Sequence, residues 1–479
     1  MYLTLSGLTL LAVFIVYHVY RYKPRLPPGP SGLPIVGNII DLNTQELWRK
    51  AHHWGKRYGL RVSRTPIIFL ERGEVAMELL HKRGMYYSDR PHLTMAGDLC
   101  GMDSLTPLIR IDKLKLERKR LGQALSPSAT KKWRPALERE VMALLRNLHQ
   151  SPNDHVAHFQ RMTGSTMLRV LYGYRAQSAN DPLLHAAEEM MKVTSTAMLP
   201  NWLIDFLPFY RRLKSNLQSV ISRLRIQALT CGDKDTGEKR DCFCGTLLLS
   251  NEDEPIVSPE LENRVKWMAM SLYGAGMDSS VVTLTQFIML MILHPDIQRQ
   301  AQEEIDKFVG PHRVPDFGDR DNLPFVDCIL KETLRWGVPI PITPSHRLIQ
   351  KDSYENFEFP EGSLFTANIW SMLHDERVYT EPLEFRPERF LNEKHQAEQQ
   401  GLPPFDPYTR CPGIHFADQS IWLAMARMLA CFNIQPFVNH DGEVVLPEMI
   451  FDGGAFRQPK PFKCRITLRR KGVLSTLQE

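Results

Sequence analysis

At 479 residues, with 43% hydrophobic and 24% charged side chains, the chain is too apolar for a disordered protein, and it is long enough for two domains or for one large domain around a buried cofactor. The formal net charge of +5 is weak and acids alternate with bases; no basic face with interleaved aromatics marks a nucleic-acid surface, although mild basicity suits an acidic protein partner or an anionic membrane. The cysteines Cys100, Cys231, Cys242, Cys244, Cys328, Cys411, Cys431 and Cys464 show one C-x-C pair and no zinc-ligand spacing, and read as free thiols in a reducing compartment.

Tyr2 to Tyr20, YLTLSGLTLLAVFIVYHVY, carries no formal charge with His18 neutral and is nearly long enough for a helix to cross a bilayer. Arg21, Lys23 and Arg25 follow at once, which places the body on the cytosolic side. A basic leading region and a small-residue cleavage site are both missing, so the stretch predicts a retained anchor rather than a signal peptide. The next segment, KPRLPPGPSGLPIVGN, holds Pro24, Pro27, Pro28, Pro30 and Pro34, which deny it a helix and make it a stiff spacer. The expected division is an anchor over 2–20, a basic, proline-rich hinge over 21–38 and one domain over 39–479.

Beyond Leu42 the pattern predicts a helix over 43–57, short strands in LRVS and IIFLE, and a helix over 74–83. The middle is mostly helical, with amphipathic stretches at Ala136–Leu148 and Arg211–Ala228. Ser195–Phe209 is apolar and broken by prolines, which suits a cover over a pocket, a membrane-dipping loop or a buried helix junction. After 337 the runs SLFTAN and CRITLRR read as strands, with a helix at Ala417–Ala430 between them. The strands are too dispersed for a parallel doubly wound sheet. The expected fold is mainly α with small β-sheets, a single large domain carrying an N-terminal transmembrane helix.

Four motifs stand out. Inside an apolar helix over 264–293, Gly274 and Gly276, with Asp278, Ser279 and Ser280 behind them, are poor helix-interior residues. They fit either a notch for packing another helix or a place where a flat cofactor or oxygen meets the backbone, with Asp278 and Ser279 able to relay protons. Glu332 and Arg335 share a helix face, a pairing common on surfaces, and Pro387-Glu388-Arg389-Phe390 lies downstream. In IDKLKLERKRLGQAL, Arg118, Lys119 and Arg120 suit a solvated basic face or an anion-binding helix. Cys411-Pro412-Gly413 precedes a helix, where backbone amides can donate to a sulfur ligand.

Together these motifs resemble the cytochromes P450, and the likeness runs from Pro27 to Leu468. The resemblance implies that Cys411 is the axial ligand of haem b (iron protoporphyrin IX), with Gly413 in its loop. Asp278 and Ser279 match the acid–alcohol pair of the central helix, with Ser279 where most members have Thr. Glu332 and Arg335 would lock to Arg389 in a buried network behind the cofactor. Arg118 and Arg347 match residues that grip haem propionates, whereas Leu114 stands where the family has Trp. His346 is expected to play a supporting role. The cysteine loop departs from the pattern Phe-x-x-Gly-x-Arg-x-Cys-x-Gly: counting back from Cys411, Thr409, Pro407 and Pro404 occupy the Arg, Gly and Phe positions, as if several residues were absent.

What the resemblance implies for function is oxidation of a lipophilic small molecule by dioxygen. Electrons would come from NADPH through a membrane-bound cytochrome P450 reductase, with cytochrome b5 as a second donor, at the endoplasmic reticulum membrane. The alternative is an impaired or haem-free relative, or a misassembled gene. Substrate-facing stretches are expected at Tyr87–Gly101, Met198–Phe209, Leu272–Asp278, Val338–Thr343 and Phe451–Phe456. The overall style is similar to fungal members of secondary metabolism such as the O-methylsterigmatocystin oxidoreductases, a likeness that does not specify a substrate.

Overall fold

The computed structural model describes residues 25–470 except 31, 33–36, 43–44, 56–59, 63–64, 110, 177–180, 199–201, 207–241, 250–257 and 392–410. Helices dominate. α1 (Leu47–Gly55) leads into β1 (Leu60–Val62) and β2 (Thr65–Leu70). Then come α2 (Ile111–Ala124), α3 (Arg134–Gln150), α4 (His155–Tyr172), α5 (Pro182–Ala197), α6 (Pro259–Leu293), α7 (Pro295–Phe308) and α8 (Pro324–Gly337). Four short strands follow: β3 (His346–Arg347), β4 (Asp352–Tyr354), β5 (Phe357–Phe359) and β6 (Leu364–Ala367). Last, α9 (Ile414–Cys431) runs straight into β7 (Phe432–Val438), ahead of β8 (Val444–Val445) and β9 (Cys464–Leu468).

The strands form small sheets at the margins of the helical body. One has the order β1-β2-β6-β3, with β2 and β6 parallel from Ile67↔Leu364 to Leu70↔Ala367 and the other pairs antiparallel. A second is the β4–β5 hairpin, and the third is β8-β7-β9. Strands thus form at Leu60–Val62, Thr65–Leu70, Leu364–Ala367 and Cys464–Leu468, within the segments expected, although β2 and β6 are buried along their length rather than alternately. The expected helix at Arg211–Ala228 lies outside the described residues.

The axis of the core is α6. Ser258 caps it by accepting from the Leu261 amide at 3.2 Å, Pro259 occupies its first turn, and Glu260 and Glu262 complement the helix dipole there. Its carboxy-terminal half is buried continuously from Ser280 to Ile292, and it packs against α4, α8 and α9.

This helix corrects the expected fold class in one part. Mainly α with small sheets is what the chain forms, but among the described residues the one helix long and apolar enough to cross a membrane is α6, in mid-chain. Its most apolar window is 78% buried inside the protein, as for a core helix. The anchor expected at 2–20 lies outside the described residues. Part of the proline-rich segment is described, and it lies on the body: Arg25 O accepts from the Glu358 amide at 2.9 Å, and Leu26 packs on the cluster of Ile68, Leu79 and Phe365.

α8 is placed by its two ends. Glu304 of α7 accepts from the Phe325 and Val326 amides at 3.0 and 3.1 Å, so a carboxylate from a neighbouring helix caps its start. At the other end, a Cβ on Gly337 would lie 2.0 Å from Gln286 Oε1, so any larger residue there would displace the Gln286 amide. Gln286 of α6 donates to Gly337 O at 3.0 Å and to Arg457 O at 2.8 Å, tying three segments together.

Candidate active site

The site is built around the amino-terminal end of α9. Cys411 lies three residues before it and is exposed. Burial of its surroundings pushes the thiol pKa up, while a hydrogen bond from the Gly413 backbone and the nearby Arg118 charge pull it down. A Cβ on Gly413 would meet Cys411 Sγ at 3.9 Å, an ordinary contact. What Gly413 contributes is therefore its amide rather than its lack of a side chain. The Phe-to-Arg half of the loop, 404–410, lies outside the described residues.

The other described cysteines are different. Burial pushes Cys328, Cys431 and Cys464 up to about 12, which keeps them as protonated core thiols. Cys464 Sγ lies 3.7 Å from His155 Nδ1, but burial also lowers the histidine, so this is a contact between neutral groups.

One cation near Cys411 links it to a second group of side chains. Arg118, on α2, acts electrostatically on Cys411, Arg90 and His346. The Arg90 Nη1 donates to Pro344 O at 2.8 Å and Ser345 O at 3.0 Å, whereas its buried Nε has no hydrogen-bond partner. Burial and then the Arg118 charge lower the Arg90 pKa to about 10, opposed by Asp89. His346 is 5% exposed, and its Nδ1 is also buried without a partner. Its pKa falls well below the usual value, through burial and then Arg90, so the ring is neutral at pH 7.

Arg347, expected beside His346 as a propionate grip, is engaged elsewhere. Its Nε and Nη2 both bind Asp89 Oδ2, at 2.9 and 2.6 Å, and Asp89 is 1% exposed. Strand alternation turns neighbouring side chains to opposite faces, so the inward position falls to His346.

The small-residue motif of α6 divides by face. A Cβ on Gly274 would meet Met191 Cε at 2.4 Å, and one on Gly276 would meet Met167 Cε at 3.0 Å. These glycines admit α5 and α4, as a packing notch does. Ala275, between them, is exposed, and Ser279 one turn on donates to Ala275 O at 2.6 Å. Burial raises the Asp278 carboxyl to about 6, so this acid exchanges its proton near neutrality. Tyr87, expected to face substrate, belongs instead to the sheet core, where its hydroxyl donates to Asp352 Oδ2 at 2.8 Å. The rest of that expected stretch, Tyr87–Gly101, meets a second one, Met198–Phe209: Asp205 Oδ1 accepts from the Met95 amide at 2.9 Å, and Leu99 and Ile204 pack with Trp202.

Behind α9 lies the carboxylate–guanidinium network. Arg335 binds both oxygens of Glu332, at 2.7 and 2.8 Å, and Arg389 Nε adds a bond at 3.1 Å. Glu332 is fully buried and also accepts from the Arg386 amide at 2.9 Å. The remaining Arg335 donors reach Leu373 O, Pro382 O and Glu384 O, so the guanidinium is fully satisfied.

Haem fits this arrangement. A thiol set beside a helix start can ligate iron, and the buried, partnerless Arg90 Nε together with the Arg118 charge suits the negative charges of a propionate edge. The comparisons agree. The family description "Cytochrome P450" matches residues 27–465. The chain is 41% identical to "Cytochrome P450 monooxygenase claT" of Ampulloclitocybe clavipes, across 98% of this chain and 97% of that one. It is 32% identical to "Cytochrome P450 monooxygenase 208" of Postia placenta, across 97% and 95%. A zebra fish cytochrome P450 solved with progesterone shares the fold at a TM-score of 0.70, covering 88% of this chain and 98% of that one at 21% identity.

The chain therefore belongs to the cytochrome P450 family and is an oxidoreductase of the monooxygenase class. Its full-length fungal relatives place it with the fungal haem-thiolate enzymes, and membership implies a haem-thiolate cofactor, NADPH-linked electron supply through a reductase and a lipophilic substrate.

Proposed function

We propose that the protein hydroxylates, or otherwise oxidises, a lipophilic small molecule, with Cys411 as the haem iron ligand. The observation that carries this reading is the place of Arg118, which acts electrostatically both on Cys411 and on Arg90, whose buried Nε donor is unfilled. Haem b bound through a thiolate supplies dioxygen activation and transfer of one oxygen atom to a carbon.

The chain's own residues do the rest. The Gly413 amide and Arg118 favour the thiolate form of Cys411. Arg90 and Arg118 hold the anionic edge of the cofactor and offset its charge, with the neutral His346 ring near them. Asp278, with its carboxyl near pKa 6, takes a proton from solvent and passes it inward, and the Ser279 hydroxyl leaves its Ala275 O acceptor to complete the path. The apolar cluster of Met95, Leu99, Trp202 and Ile204 joins two of the expected substrate-facing stretches and favours an uncharged, lipophilic ligand. Electrons come from NADPH through cytochrome P450 reductase, with cytochrome b5 as a second donor, at the endoplasmic reticulum membrane; the likeness to microsomal enzymes supports this part, and fractionation with reductase activity tests it. Substrates of fungal secondary metabolism are the class to screen.

One observation favours a second reading, an impaired haem site. The Arg, Gly and Phe positions before Cys411 hold Thr409, Pro407 and Pro404. The alignment with the Ampulloclitocybe clavipes enzyme also spans 501 positions, more than the 479 residues of this chain, so that relative carries residues without counterpart here. Reduced carbon monoxide difference spectra decide between the two. A full thiolate-haem band from the chain as written supports the active enzyme. No band, with rescue on inserting family-like residues between Thr409 and Arg410, supports the impaired form.

A further inference from the structure

Arg320 lies outside every motif singled out by sequence, yet it grips the helix that begins just after Cys411. Its Nη1 and Nη2 bind the two oxygens of Asp418 at 2.5 and 3.0 Å, a bidentate pair. Its Nη2 and Nε also bind Asp327 Oδ1 of α8, at 2.5 and 3.1 Å, and Lys331 reaches the other Asp327 oxygen at 2.9 Å. The guanidinium carbon lies 5.4 Å from the ring centre of Trp422, which is fully buried. Asp418 and Trp422 are four residues apart and so share one face of α9. A single side chain therefore contacts two successive turns of that face and ties them to α8, five residues before Glu332 of the buried network.

A second grip sits beside the first. Gln419 Nε2 donates to Thr130 Oγ1 at 2.9 Å, and Gln419 Oε1 accepts from Arg134 Nε at 2.9 Å. Arg134 in turn stacks on Phe317, with its guanidinium carbon 4.6 Å from the ring centre, and Phe317 lies against Trp422. The start of α9 is thus held from α8 through Arg320, and from Thr130 before α3 and Arg134 at its first residue. Only Pro412 and Gly413 separate Cys411 from α9. The residues ahead of the cysteine depart from the family pattern, so the position of its sulfur depends on the segment that follows it.

We infer that Arg320 is a positioning residue for the iron ligand: its bridge from Asp327 to Asp418 fixes the start of α9, and through it the sulfur of Cys411. The inference rests on the reading of Cys411 as ligand. It differs from a general stabilising role, because loosening this bridge should alter the ligation state of bound haem while the fold and the haem content persist.

The test uses the full chain as Arg320→Ala, Arg320→Lys and Asp418→Ala. Asp418 has 40% of its side chain exposed, so its removal leaves no buried charge on α9, and Arg320 keeps Asp327. That variant stays informative if Arg320→Ala fails to fold. Three quantities are read: haem content, the thermal midpoint, and the ratio of non-thiolate to thiolate bands in the reduced carbon monoxide spectrum. The expected result is near-normal haem content, with that ratio raised about fivefold in Arg320→Ala and Asp418→Ala, as befits a partly exposed bidentate pair. Arg320→Lys keeps the charge but not the fork, and should fall between. An unchanged band ratio in both alanine variants overturns the inference. If the unsubstituted chain gives no thiolate band, the ligand reading itself fails. Alkylation of Cys411 in the haem-free chain then tests the clamp alone: faster reaction in Asp418→Ala upholds it, and an equal rate overturns it.

Discussion

Asp278→Asn should make the protein more stable and less competent at the same time. Burial raises the Asp278 carboxyl from 3.8 to about 6. A carboxyl whose folded pKa exceeds its unfolded value binds its proton more tightly in the native state, so its cost is absent in acid and accumulates as pH climbs from about 4 to about 6. A shift of about two units corresponds to ~3 kcal/mol of destabilisation above that window. Near pH 4.5 only about 1 kcal/mol of it has developed, so the advantage of Asn over Asp should grow by about 2 kcal/mol between pH 4.5 and about pH 7.5. Every other titrating group is common to both proteins and cancels in this difference. Urea unfolding of both haem-loaded proteins at the two pH values, followed by far-ultraviolet circular dichroism, measures it. The same substitution removes the proton donor, so product formed per NADPH consumed should fall. An Asn protein with the same pH dependence of stability as the parent would refute the desolvated-acid argument, and unchanged coupling would remove Asp278 from the proton path.

Four further outcomes are expected. Ser279→Ala should keep haem and substrate binding but release more peroxide per NADPH, because only its hydroxyl is lost; an oxygen-electrode and product assay checks this. Glu332→Ala should give poorly folded, haem-poor protein, because it leaves Arg335 and Arg389 buried beside an empty carboxylate site, at a cost of about 3–5 kcal/mol; wild-type haem content would show that reasoning wrong. Arg90→Gln should speed haem transfer to a scavenger protein about tenfold, the value of one charge-assisted hydrogen bond, while the loss of its bonds to Pro344 O and Ser345 O is read separately in the haem-free thermal midpoint. Ligation must displace a proton from a thiol whose pKa is raised, so the thiolate-bound fraction should increase with pH above neutrality; a fraction flat with pH in the absorption spectrum counts against Cys411.

The class of fold was legible in the chain because helical periodicity and strand patterns are local: Thr65–Leu70 and Leu364–Ala367 are short apolar runs buried on both faces, and Cys464–Leu468 alternates. The pairing of Glu332 with Arg335 was legible for the same reason, being a matter of helix spacing. What sequence spacing could not decide was direction and company. Gly274 and Gly276 suited a cofactor or a packing notch, and only the approach of Met191 and Met167 assigned them to packing. Asp89 took the side chain of Arg347 from a distance of 258 residues, leaving the buried inward place to His346. Arg90 and Arg320 carry no local signature: an arginine in a loop looks alike whether it is solvated, faces an unfilled buried site or holds a helix. The apolar composition of α6 equally satisfied a membrane span and a protein core, and its neighbours α4, α8 and α9 settled which solvent it meets. Local patterns constrain a segment's own backbone, whereas burial and partner choice depend on which distant segments arrive, and those alone determine the charge state and reach of the functional side chains.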